Sequence, residues 1–200
     1  MGRPSKSANE KPARERIKRA FWKLYKKRPI EQICVKEICA GACCNKTTFY
    51  YHFENTAQVL AEIEHECLLI DFPGLIVSLL TEDEPHTDFI EAYVQANASK
   101  IETISILLGP CGDPSFRLLL EEETVNRWCD IMGIEREMLD REDRLFLRYS
   151  TGGMASLCAQ MQQGNGEGFD YYATIIKLAR EVIVPRVQLM VSRYDTQTSK

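Results

Sequence analysis

Apolar residues recur at helical spacing along most of this chain, and no segment alternates convincingly with the two-residue period of a half-buried strand. That rhythm confines the fold to all-α architectures. Ile17, Ala20, Phe21, Leu24 and Tyr25 fall at i, i+3, i+4, i+7 and i+8, one face of a first helix, with Arg16, Lys18, Arg19, Lys23, Lys26 and Lys27 mostly around its remaining surface. Arg28-Pro29 stops it, because the residue before proline is pushed out of the α region. A short helix is predicted from Val35 to about Ala42, burying Val35, Ile38 and Cys39, followed by a turn at Gly41 to Cys44. Asn45 is placed to cap a second short helix, Lys46 to Phe53, and Asn55 to cap a longer one through Val59, Leu60, Ile63 and Cys67. Pro73-Gly74 ends or kinks that helix.

Further helices follow. Phe89, Ala92, Tyr93, Ala96, Ile101 and Ile104 mark one, and the breaker cluster from Gly109 to Pro114 is read as a loop. Helical patterns resume over 115–132, 141–163 and 169–189, the last two separated by a glycine-rich loop at 164–168. The reading divides the chain into a basic, flexible arm (1–12), a helix-turn-helix domain (13–54), a helical effector-binding and dimerisation domain (55–194) and a disordered tail (195–200).

Charge separates the two main parts. Residues 1–53 hold 13 Lys/Arg against 4 Asp/Glu, a balance of +9, whereas residues 54–200 hold 12 against 25, a balance of −13. The overall charge of −4 hides this polarity, which suits a first quarter that meets a polyanion and a remainder that does not. An incidental basic end is the alternative reading of charge alone. The most apolar candidate span, Leu68 to Leu80, is interrupted by Asp71, Pro73 and Gly74, so no membrane partner is expected. Met1 to Arg19 carries no apolar signal core, so the expected compartment is the cytoplasm, where the eight cysteines stay reduced. None of them forms a C-x-x-C pair, and neither a metal nor a cofactor is expected.

Two short helices joined by a tight turn and braced by a preceding helix make a helix-turn-helix, whose second helix enters the major groove of DNA. Phe49 and Phe53, at i and i+4, anchor that second helix. Lys46, Thr47, Thr48, Tyr50, Tyr51 and His52 are left to face outward or along the groove edge, where they can donate to phosphates, accept from bases or pack on a thymine methyl. Taken singly, Tyr50 and Tyr51 also read as packing aromatics and Lys46 as a solvated charge. Arg3, Lys6 and Lys11 precede the first helix, and Gly2-Arg3-Pro4 reads either as a minor-groove arm or as a solubilising terminus.

Residues 14–60 resemble the DNA-binding domain of the TetR/AcrR family of bacterial regulators. The stretches that carry the resemblance are Ile17 to Tyr25, Val35-Lys-Glu-Ile-Cys39 and Thr48-Phe-Tyr-Tyr-His-Phe53, followed by a helix with Val59-Leu60. The resemblance implies that Lys36, at the start of the supporting helix, reaches a base or phosphate. It also implies that Thr48 and Tyr50 contact phosphates or bases, with Tyr51 and His52 against the backbone. Asn45, Lys46 and Thr47 complete the expected DNA-binding set, and the expected partner is double-stranded operator DNA. Three positions depart from the family pattern: Cys43 stands at its turn glycine, Cys34 at the hydroxyl that caps the supporting helix, and Thr56 at the lysine that opens the fourth helix. A non-glycine residue at positive φ is strained, so Cys43 either bears modest strain or reshapes the turn.

The remainder resembles family members whose C-terminal half carries a Leu-Leu-Gly-Pro-x-Gly-Asp-Pro-x-Phe segment, here Leu107 to Phe116. Homodimerisation is expected through the last two helices, with Tyr149, Gly152, Gly153 and Ser156 on one and Ile175, Ile176, Ala179 and Ile183 on the other. These residues equally suit completion of the monomer's own core. An unknown small-molecule effector is expected among the central helices, with Tyr93, Asn97, Phe116, Trp128, Phe146 and Tyr149 as candidate lining, although aromatics at helical spacing are commonly plain core. Cys34, Cys39, Cys43 and Cys44 crowd the helix-turn-helix and read either as small core residues or as a redox or metal sensor. The function expected is that of a sequence-specific regulator, a repressor released by its effector. The alternatives are a DNA-organising protein without an effector and a small all-α enzyme, the last lacking any Ser/His/Asp set, metal spacing or phosphate-binding glycine loop.

Overall fold

A computed structural model describes residues 12–68, 87–160 and 168–198. They form α1 (Ala13–Tyr25), α2 (Val35–Ala42), α3 (Lys46–His52), α4 (Thr56–Cys67), α5 (Thr87–Leu107), α6 (Pro114–Met132), α7 (Arg141–Gln160) and α8 (Gly168–Thr198), with short 3₁₀ turns at Ile30–Gln32 and Arg136–Met138. No strand occurs among the described residues, so the fold is all-α. The basic arm at 1–11, Pro73-Gly74 and the glycine-rich loop at 164–167 lie outside the described residues.

The chain forms two compact units, one reaching Glu66 and one starting at Cys67. In the first, α1 lies across α2 and α3. Ile17, Phe21 and Tyr25 from α1 meet a core that includes Ile38 and Ala42 from α2, Phe49 and Phe53 around α3, and Val59, Leu60 and Ile63 from α4, all buried. Gly41 permits the close approach of α1 and α2: a Cβ there would sit 3.1 Å from the Ala20 methyl. The sequence reading ends the first domain at 54, but ion pairs tie most of α4 to α1. Arg14 Nε donates to both carboxylate oxygens of Glu62, at 2.9 and 3.0 Å.

Lys18 is not the surface charge its position in a basic run suggests. It is 7% exposed, and its ammonium lies 2.6 Å from Glu66, 2.8 Å from Glu15 and 3.1 Å from Glu62. The three carboxylates converge on this side chain, which supplies from within the chain the cation that such a cluster needs.

The second unit is built on α5 to α8. Its core gathers Val125, Trp128, Cys129 and Met132 from α6, Leu147 from α7, and Ala179, Ile183, Val187, Met190 and Tyr194 from α8. At the start of α6, the Asp113 side chain accepts from the Ser115 N–H at 2.8 Å and Pro114 opens the first turn. Gly112 is required beside it, because a Cβ there would lie 1.7 Å from the Leu107 carbonyl oxygen.

The last helix outruns its sequence boundary. α8 continues past 189 and through 195–198, the first part of the segment expected to be a disordered tail, and Pro185 does not end it. The reason is a buried stripe, Ile183, Val187, Met190 and Tyr194, whose period never breaks. The stripe ends on a buried carboxylate. Asp143 takes hydrogen bonds from Arg186 Nη2 at 2.9 Å, Arg193 Nη1 at 2.9 Å and the Tyr194 hydroxyl at 3.0 Å.

Candidate nucleic-acid interface

The turn between α2 and α3 sets the geometry of the site. Two backbone bonds close it: Cys44 N–H to Cys39 O at 3.0 Å, and Cys43 N–H to Ala40 O at 3.3 Å. This is the paired-bond helix ending that requires a left-handed residue just past the helix. Cys43 fills that position at φ 50°, ψ 51°, and it is the one non-glycine residue at positive φ among the described residues. The cysteine therefore bears the strain rather than reshaping the turn. Arg16 supports the same helix end from α1, its Nε donating to the Ala42 carbonyl at 3.1 Å.

At the other end of α2, the Glu37 carboxylate accepts from the Cys34 N–H at 3.2 Å and pairs with Arg28. Glu37 thus serves the orphan N–H of a residue whose own side chain is a poor cap. The Arg28 guanidinium, followed by the bond from Cys34, holds the Glu37 carboxyl down at about 2.

α3 is held by one buried face and one cap. Phe49 and Phe53 are fully buried, as their i, i+4 spacing predicts, and Phe53 leaves the helix in an extended conformation just after His52. The Asn45 side chain accepts from the Thr48 N–H at 2.8 Å and from the Thr48 hydroxyl at 3.0 Å. Thr48 is half-buried, and its hydroxyl proton is committed to this cap. Asn55 repeats the device for α4, accepting from the Gln58 N–H at 2.9 Å.

What remains of α3 points away from the core. Tyr50 is 57% exposed and Tyr51 84% exposed; Lys46, Thr47, Asn45 and Lys36 are exposed, and His52 is half-buried. The rings are braced, Tyr50 edge-on to Phe49 at 5.4 Å and Tyr51 edge-on to His52 at 5.0 Å. The surface therefore offers a lysine ammonium, two phenol hydroxyls and a threonine hydroxyl on one short rigid helix. These are groups able to bond phosphate oxygens and base edges.

The residues expected around an effector are spread over three environments. Phe116 and Trp128 are core, Trp128 within the cluster described above. Tyr93, Asn97 and Phe146 are half-buried, and Asn97 Nδ2 donates to the Tyr93 carbonyl at 3.0 Å. Tyr149 is 77% exposed and faces away from the core, so it lines no interior space of this unit.

The expected dimer residues divide similarly. Gly153 and Ser156 are exposed and Gly152 half-buried, alongside Tyr149. Ile175, Ile176, Ala179 and Ile183 are buried within the unit's own core. They complete the monomer, and among the described residues the large apolar side chains that α8 leaves exposed are Leu178, Val182 and Leu189. A 3.6-residue period marks an apolar face but not which of two such faces is covered.

Sequence reasoning missed the supporting charges: Arg16 at the end of α2, Arg28 on Glu37, and Arg14 and Lys18 on Glu62 and Glu66. The last set had a visible signal, because basic residues at 14 and 18 and acidic ones at 62 and 66 share the same i, i+4 spacing.

The arrangement belongs to the class of all-helical folds with an N-terminal helix-turn-helix. Among solved structures, it is similar to the dihydroxyacetone kinase operon activator DhaS, with a TM-score of 0.54 and 16% sequence identity over 88% of this chain and 97% of that one. No protein-family model matches the chain. No curated protein matches its sequence. No helix among the described residues is long and apolar enough to cross a membrane.

Proposed function

We propose that the chain is a sequence-specific DNA-binding transcription regulator that reads an operator with α3. The observation that carries this reading is the division of α3 itself. Phe49 and Phe53 are buried, while Lys46, Thr47, Tyr50 and Tyr51 stand outside on a segment with a charge of +9. An incidental surface helix has no need to expose two tyrosines on so short and so firmly capped an element. The fold likeness to a protein named as an operon activator agrees with this reading.

The finer reading is a homodimeric repressor released by a small molecule held in the second unit. A palindromic operator asks for two recognition helices about 34–36 Å apart, related by a two-fold axis. The exposed apolar residues Leu145 and Tyr149 on α7 and Leu178, Val182 and Leu189 on α8 are the surface we assign to that pairing. They replace the buried isoleucines of the sequence expectation. Tyr93, Asn97 and Phe146 remain the candidate effector contacts, and no catalytic role is assigned.

Selection of bound sequences from a random DNA pool, followed by titration in rising salt, tests the reading. Enrichment of one palindromic motif with salt-sensitive affinity supports it; binding without sequence preference supports a DNA-organising protein instead. A reporter carrying the selected motif then separates repression from activation.

A further inference from the structure

A shallow depression of about 490 Å³ lies in the first unit, lined by Arg16 from α1, by residues of the α2–α3 turn, and by Asn45 and Thr48. None of its lining residues is acidic. The closing of the turn sorts its hydrogen-bonding groups. The Cys39 and Ala40 carbonyls already accept turn bonds, from the Cys44 and Cys43 N–H groups at 3.0 and 3.3 Å. Asn45 Oδ1 accepts from the Thr48 N–H and the Thr48 hydroxyl, at 2.8 and 3.0 Å, which leaves the Asn45 amide nitrogen with no partner among the described residues. Arg16 is held in place by its Nε bond to the Ala42 carbonyl at 3.1 Å, and a guanidinium carries five N–H donors in one planar fork. We propose that this depression is a phosphate seat, in which the Arg16 guanidinium and the Asn45 side-chain amide hold one backbone phosphate of bound duplex DNA.

A cation and side-chain donors, beside carbonyls already engaged, suit an anion with several acceptor oxygens. The Cys44 thiol does not oppose one, because burial raises it above its ordinary value and keeps it neutral. The place of the depression favours DNA as the source of the phosphate. It belongs to the unit whose first 53 residues carry a charge of +9, and Asn45 and Thr48 in its lining flank the exposed Lys46 and Thr47. The inference rests on the DNA-binding reading and adds to it a residue outside the two helices of the motif. Thr48 cannot give its hydroxyl proton to a phosphate while Asn45 holds it, and Arg16 supplies the donor instead. A backbone phosphate carries no sequence information, so the seat fixes the register of α3 on the duplex rather than its choice of bases.

The test uses the full chain with the selected motif and with a scrambled duplex of the same length, because a backbone seat serves both. Arg16→Gln should lower the slope of log K against log salt by about 0.9, and Arg16→Lys, which keeps the charge, should restore it. Asn45→Asp keeps an oxygen to cap α3, since the two residues cap about equally well, but replaces the amide donor by a second carboxylate oxygen. It should melt like the wild type and weaken binding to both duplexes by about 10-fold or more. Replacing single phosphates by neutral methylphosphonates should then find one position whose loss weakens the wild type and leaves Asn45→Asp indifferent. An unchanged salt slope in Arg16→Gln, or equal methylphosphonate losses in wild type and Asn45→Asp at every position, overturns the proposal. Inorganic phosphate probes the other source. Saturation of the DNA-free chain that Asn45→Asp abolishes, with no such position in the duplex, overturns DNA as the occupant. A wild type that binds duplex without preferring the motif sinks the operator reading alone, while slopes on the scrambled duplex still decide the seat. A wild type that binds no duplex overturns both.

Discussion

The Lys18 ammonium lies 2.6 Å from a Glu66 carboxylate oxygen, joining α1 to α4 across 48 positions of sequence. Burial works against the charged form of Lys18, but hydrogen bonds to Glu15, Glu66 and Glu62 outweigh it, and its pKa is raised overall. Removing the ammonium leaves three carboxylates facing one another. Lys18→Met should therefore destabilise the full chain by about 1–3 kcal/mol, less than a fully buried pair because the carboxylates face water. Glu66→Gln should cost under about 1 kcal/mol. Chemical denaturation of both variants and the double mutant checks the coupling.

Acid should loosen the first unit in a defined window. Arg14 holds the Glu62 carboxyl below its ordinary value, against the cost of burial, and Arg28 holds Glu37 at about 2. A depressed carboxyl contributes stability that is complete above its unfolded pKa of about 4.3 and is lost as pH falls through the folded value. Melting temperature should thus fall from about pH 4.5 towards pH 2, and Glu37→Gln should flatten that fall. An unchanged acid slope in Glu37→Gln contradicts the assignment.

Cys43 pays a conformational cost that glycine avoids. Cys43→Gly should stabilise the chain by about 0.5–1 kcal/mol, the relief of left-handed strain less the extra freedom of an unfolded glycine. A higher midpoint in thermal unfolding is the expected result. A lower one would mean that the side chain contributes packing that outweighs the strain.

The buried carboxylate of the second unit gives a matching test. Tyr194→Phe removes one of the hydrogen bonds to Asp143 and should cost about 1 kcal/mol. Asp143→Ala leaves two guanidinium groups without their shared partner and should cost about 3 kcal/mol or more. Loss of helicity at the C-terminal end of α8, followed by hydrogen exchange, should accompany both.

The helices, the short helix Lys46–His52 and its two phenylalanine anchors were legible in sequence because each is local: a period, a cap residue and a breaker within one or two turns. Asn45 and Asn55 cap the helices they precede for that reason. What was hidden depends on pairing across the chain. Lys18 reads as solvated until Glu15, Glu62 and Glu66 surround it. Ile175, Ile176, Ala179 and Ile183 read as a dimer face until α8 is packed. The extent of α8 outran the reading because the polar tail was given more weight than the stripe through Tyr194.

Thr56 offers a gain-of-contact test. It opens α4, where the resembling family carries a lysine that holds a phosphate. Thr56→Lys should steepen the dependence of log K on log salt by about 0.9 and tighten binding at low salt. An unchanged slope places this helix end away from the DNA backbone.

The central claim rests on the exposed side of α3. The most direct measurement is the affinity of the wild type, Lys46→Ala and Tyr50→Ala for the selected motif and for a scrambled duplex, by fluorescence anisotropy at fixed salt, with melts alongside. The account expects melting temperatures close to wild type and specific binding weakened by about 10-fold or more in each variant, since a good base or phosphate contact is worth about 1–3 kcal/mol. Wild-type affinity and selectivity in both variants would contradict it.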